Sequence, residues 1–114
     1  RDRGKRPLMG EVATRYSDIV ILTDDNPRTE DPAGIIRDVL AGCNPADSVI
    51  EVINDRSEAI RRAVFIKTKE DALIVAGKGA ENYQITHEGK RFFSDKEEIE
   101  KYLRELQNVH NNTD

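Results

Sequence analysis

The sequence predicts an α/β domain: a mostly parallel sheet with helices on both faces and a C-terminal hairpin. Three observations carry this. Short β-rich runs at residues 19–22 (IVIL), 49–53 (VIEVI) and 72–76 (ALIVA) read as buried strands of one sheet. Apolar residues recur at helical spacing between the first two and again after the second. That alternation is the pattern of βαβ units, which join parallel strands.

The elements follow in chain order. Pro7 suits the first turn of a helix, where its missing N–H costs nothing. Leu8, Met9, Val12, Ala13 and Tyr16 continue that helix. Strand 19–22 exits into TDDNPRTEDP, a loop of four acids, an Asn, two Pro and one Arg. Asp31-Pro32 reads as a cap and first-turn pair. Ile35, Ile36, Val39 and Leu40 form one stripe, and Gly42 is a natural stop. Residues 44–47 are turn chemistry ahead of the second strand. Asn54 or Asp55 can cap a helix whose Ala59, Ile60, Ala63 and Val64 share a face. Strand 72–76 ends in Gly77-Lys78-Gly79. Residues 83–86 and 91–93 can pair around Glu88-Gly89. Ser94 or Asp95 begins a last helix carrying Ile99, Tyr102, Leu103 and Leu106. The domain is expected to span 1–106, with a disordered polar tail over 107–114.

Composition narrows the function. A chain of 114 residues that is 37% hydrophobic suits one small core. A formal net charge of -4 gives no case for nucleic-acid binding. Cys43 is the sole cysteine, so an internal disulfide or a multi-cysteine zinc site is excluded. His87 and His110 lack a spacing for a shared metal. No apolar run approaches the ~20 residues of a membrane span, and no signal peptide is visible. A chain beginning at Arg1 rather than Met is expected to be a piece of a longer polypeptide.

Three polar constellations are candidates for chemistry. Arg1, Arg3, Lys5 and Arg6 place four cations ahead of a helix N-terminus. This is a solvated basic terminus or an anion site. Asp24, Asp25, Asn26, Pro27 and Arg28 form a charged turn, or a site for a zwitterion. In the second case Arg28 takes a carboxylate while Asp25 and Asn26 take an ammonium group. Gly77-Lys78-Gly79-Ala80-Glu81 is a Gly-rich turn, or a close approach of backbone to ligand with Glu81 facing a second ammonium. It lacks the spacing of a Walker loop. Both latter motifs leave a strand at its carboxyl end, where ligands of open α/β sheets bind.

Together, RDRGKRPLMG, TDDNPRTEDP, DRSEAI and AGKGAENYQ resemble the C-terminal domain of the Mur ligases. The resemblance runs from Arg1 to about Leu106. DNPR is its most telling part, because it resembles the members that add diaminopimelate. The resemblance implies a Rossmann-like three-layer domain that brings the incoming amino acid to an ATP-dependent peptidoglycan-precursor ligase. In such ligases ATP phosphorylates the carboxylate of a UDP-N-acetylmuramoyl dipeptide, and the amine of meso-diaminopimelate attacks the acyl phosphate. Arg1, Asp25, Asn26, Arg28, Gly77 and Glu81 match the positions that hold diaminopimelate. Lys5 and Arg6 fall on the side that approaches the nucleotide. ATP and Mg2+ are implied for the full-length enzyme, bound mainly outside this segment, which supplies no catalytic or metal-binding residue. Ala80 stands where the family carries His. The implied setting is the cytoplasm, as a monomer, without nucleic-acid or membrane partners. The competing reading is a stand-alone small-anion-binding module that catalyses nothing.

Overall fold

In the computed structural model, residues 3–25, 30–77, 82–86 and 89–112 are described. A 3-10 turn over Arg3–Lys5 leads into α1 (Arg6–Tyr16). β1 (Ile19–Leu22), α2 (Pro32–Leu40), β2 (Val49–Val52) and α3 (Arg56–Ile66) follow. β3 (Tyr83–Thr86), β4 (Gly89–Phe92) and α4 (Asp95–Asn112) complete the order.

β1 and β2 pair in parallel, with Ile19 beside Val49 and Leu22 beside Val52. The crossover between them is α2, as the alternating pattern predicts. The cap chemistry is that of the sequence. Asp31 accepts from the Ala33 N–H at 3.2 Å, and Asp55 accepts from the Glu58 N–H at 3.1 Å. At α4 the cap is Ser94, whose hydroxyl accepts from the Glu97 N–H at 3.3 Å. Asp95 is thereby available for a tertiary contact. β3 and β4 form the expected antiparallel hairpin, with Tyr83 opposite Phe92, but β4 begins at Gly89, which pairs with Thr86, rather than at Arg91.

Three expectations are corrected. No strand ladder includes residues 72–76 among the described residues, so the parallel sheet has two strands. A cavity of about 450 Å³ is lined by both this segment and β1, in part by Ile19, Ile21, Ile60, Leu73 and Val75. Ladder bonds need strands about 4.8 Å apart, and among the described residues no such pairing joins this segment to β1. The strands are also not buried on both faces. Val20 is buried, whereas Ile19, Val49 and Val52 stay about half exposed for want of a covering strand or helix. Finally, α4 continues to Asn112, through residues 107–112 of the expected disordered tail. No Pro or Gly interrupts it after Leu106.

The core lies between α3 and α4, where Ile60, Val64, Phe93 and Tyr102 cluster and Phe65, Leu73, Ile99 and Leu106 pack around them. α1 and α2 form a second contact. A Cβ on Gly42 would overlap the Pro7 carbonyl, so only glycine allows this approach. Arg6, 3% exposed, donates to Glu30 at 2.7 and 2.9 Å and to Asp38 of α2 at 2.8 Å. It ties α1 to α2 and to the end of the loop that leaves β1. No described helix is long and apolar enough to cross a membrane.

Candidate functional site

The loop after β1 is held from its first residues. The Ile53 N–H donates to the Leu22 carbonyl at 2.9 Å, and the Asp24 N–H reaches the Asn54 carbonyl at 3.3 Å. Thr23 donates its hydroxyl to the same carbonyl at 3.1 Å. Burial pushes the Asp24 carboxyl above its usual range, and the Asn54 side-chain amide opposes that shift. The next carbonyl, of Asp25, accepts from the Gln84 side chain at 2.9 Å. Gln84, 3% exposed on β3, in turn accepts from Arg91 of β4 at 2.7 and 3.2 Å. The hairpin therefore reaches across to fix Asp25.

Gly77 ends the 72–76 segment at φ +110°, a backbone region that L side chains rarely adopt. A Cβ there would lie 3.4 Å from Oδ2 of Asp25. The two loops singled out in the sequence thus meet, although 52 positions separate these residues (77 minus 25). A carboxylate set against a side-chain-free backbone can accept hydrogen bonds from an ammonium group while leaving it room.

Arg56, at the start of α3, joins the same two loops. Its Nη1 donates to the Asp24 carbonyl at 3.2 Å and its Nη2 to the Ala76 carbonyl at 3.1 Å. The other edge of the fork is paired with Asp95, both bonds at 2.7 Å. Arg56 is 3% and Asp95 6% exposed.

Of the predicted site residues, Asp25 and Gly77 are brought together. Arg1, Asn26, Arg28 and Glu81 lie outside the described residues. Lys5 is exposed in the 3-10 turn. Arg6 is turned inward onto two carboxylates rather than outward toward a nucleotide. Its hydrogen bonds pull the Glu30 carboxyl down to about 2 and hold the Arg6 guanidinium above its own high range. No group of three metal-ligating side chains occurs among the described residues. The large cavity beside β1 reaches Thr23 and Arg56 but is lined by neither Asp25 nor Gly77.

Sequence reasoning missed Arg56, Asp95, Gln84 and Arg91. One signal was present for Arg56. A cation in the first turn of a helix opposes the helix dipole, so its placement needs a tertiary reason. Gln84 and Arg91 carried no comparable signal, because polar residues on a short hairpin are ordinary.

Known proteins share this chain's sequence and fold. The family model described as "Mur ligase, glutamate ligase domain" matches residues 1–79. A protein of Agrobacterium fabrum named UDP-N-acetylmuramoyl-L-alanyl-D-glutamate–2,6-diaminopimelate ligase is 55% identical over 107 residues. That match covers 94% of this chain and 21% of the relative. A protein of the same name from Synechococcus elongatus is 50% identical over 109 residues, covering 96% of this chain and 22% of its own length. A solved structure of a ligase so named superposes with a TM-score of 0.88 at 40% identity, over 94% of this chain and 22% of that one. The chain therefore spans about a fifth of the length of these relatives. With its family model matched over residues 1–79 and its αβ core superposed on that structure, the chain belongs to the Mur ligase family, in its glutamate ligase domain.

Proposed function

We propose that this chain is the amino-acid-binding domain of an ATP-dependent ligase that adds meso-diaminopimelate to UDP-N-acetylmuramoyl-L-alanyl-D-glutamate. The observation that carries this reading is the meeting of Asp25 and Gly77, from two separate motifs, at the exits of β1 and the 72–76 segment. Asp25, Asn26 and Glu81 take the ammonium groups of the diamino acid, and Gly77 admits its carbon chain. Arg28 and Arg1 take the carboxylates. Lys5 is the contact on the nucleotide side, with Arg6 anchoring the segment beneath it. The finer fold in this reading is a Rossmann-like three-layer domain, supported by the likeness to the solved ligase.

The residues present do not fit a binding site for ATP and Mg2+. The sequence lacks a Walker loop, and the described residues lack a metal-ligating cluster. In this reading both belong to other parts of the full-length ligase. This domain's task is to orient the attacking amine. Correct placement of a nucleophile can account for several kcal/mol of a barrier.

The test is steady-state kinetics of the full-length protein with diaminopimelate or lysine as acceptor. The wild type is expected to use diaminopimelate far better. These substrates differ by one carboxylate, so Arg28→Ala removes one charge-assisted contact, about 1.5–3 kcal/mol. That is roughly ten- to two-hundredfold in kcat/KM for diaminopimelate. Lysine use should change much less, and Arg28→Lys should restore only part, since an ammonium lacks the bidentate fork. Equal losses for both acceptors would refute the role of Arg28. A wild type that forms no tripeptide would favour a binding module without catalysis.

A further inference from the structure

We propose that Arg56 is the positioning residue that sets the spacing between the two halves of the amino-acid site. The inference rests on the function proposed above. Its basis is where the guanidinium donates. One N–H goes to the carbonyl of Asp24, and another goes to the carbonyl of Ala76. These are the peptide groups immediately before Asp25 and Gly77, the two site residues that meet. A single rigid, planar group therefore fixes the main chain of both loops at their last residue before the ligand.

The fork is itself fixed. Asp95 grips Nε and Nη2 in a bidentate pair with both distances at 2.7 Å, and both partners are almost wholly buried. Four of the five N–H donors of Arg56 are thus committed, two to the loops and two to the anchor. The anchor sits at the first residue of α4, which packs on α3 in the core. Site geometry is in this way tied to the buried core between α3 and α4. This matters because 72–76 has no ladder to hold it: among the described residues, the bond to Arg56 is the main-chain tie at its carboxyl end. A lysine has three N–H donors on one tetrahedral nitrogen, too compact a group to span all of these acceptors at once. It has the charge but not the planar set of donors.

The experiment compares wild type, Arg56→Lys and Asp95→Asn in the full-length ligase. KM is measured separately for diaminopimelate, ATP and the UDP-dipeptide, with thermal midpoints alongside. Displacing a site by about an ångström can cost a hundredfold. Arg56→Lys is therefore expected to raise KM for diaminopimelate about ten- to a hundredfold, while KM for ATP and for the UDP-dipeptide changes less than about threefold. Asp95→Asn keeps the shape and weakens the anchor, so it should raise the diaminopimelate KM by a smaller factor in the same selective way. A loss spread equally over all three substrates, or a lowered midpoint with an unchanged diaminopimelate KM, would overturn the proposal. If Arg56→Lys does not fold, the selectivity of Asp95→Asn decides. A wild type inactive with diaminopimelate would instead refute the function on which the inference rests.

Discussion

Gly77 shows most directly how one residue constrains the site. At φ +110° an L side chain is strained, by about 1–3 kcal/mol for backbone held in such a region. The space around it is less restrictive, since a methyl group there would meet Asp25 only at ordinary contact distance. Gly77→Ala should therefore act through the backbone. The loop either keeps its conformation and the domain loses about 1–3 kcal/mol, or it relaxes and draws Gly77 away from Asp25. Urea midpoints report the first outcome, and the KM for diaminopimelate in the full-length protein reports the second. A variant unchanged in both would show that the backbone at Gly77 carries no constraint. Arg56 illustrates the complementary case, in which a side chain organises the backbone of distant residues through its shape as much as its charge.

At the level of elements, the α1–α2 pair depends on Arg6 and its two carboxylates. Glu30 has its folded pKa near 2, against about 4.3 in an unfolded chain. A depressed carboxyl contributes stability that is fully present above the unfolded value. It is lost as pH falls through the folded one. The contribution of Glu30 should thus be intact at neutral pH, shrink below about pH 4.3 and be largely gone below about pH 2. Glu30→Gln should lower the denaturant midpoint at pH 7, with a gap to wild type that narrows as the pH approaches 2. Midpoints measured at pH 7, 4 and 2.5 provide the check. A gap independent of pH would mean that Glu30 acts through packing. The 72–76 segment is the other lesson at this scale. Its β-branched and apolar composition suits a strand, but composition supplies no partner, and here the ladder is absent.

For the whole molecule, the division of labour follows from what the chain contains. It has a core between α3 and α4 and a place where Asp25, after β1, meets Gly77, after the 72–76 segment, but no Walker loop. Phosphoryl transfer requires charge stabilisation at the transferring group, and this sequence has no Walker loop to supply it. The isolated chain should therefore form no tripeptide when given ATP, magnesium, diaminopimelate and the UDP-dipeptide. It should also hydrolyse no ATP above a protein-free control. Product above that control would overturn this expectation.

The sequence by itself determined the local structure of this protein. Helical spacing, the cap at Asp31, the cap at Asn54 or Asp55 and the runs at 19–22 and 49–53 depend on neighbours within a few residues; the elements stand there, with Asp55 as the second cap and β2 ending at Val52. The hairpin was legible for the same reason. Asp25 and Gly77 were also legible as candidates, because turn chemistry after an apolar run is itself a local pattern. Only the tertiary structure decided that these two residues meet, that Arg6 turns inward, and that Arg56 and Asp95 join the loops to the core. It also decided that 72–76 joins no described ladder. Each of these depends on groups far apart in the chain. Their hydrogen bonds and ion pairs form only when folding has removed water from between them, and no spacing along the sequence encodes that distance.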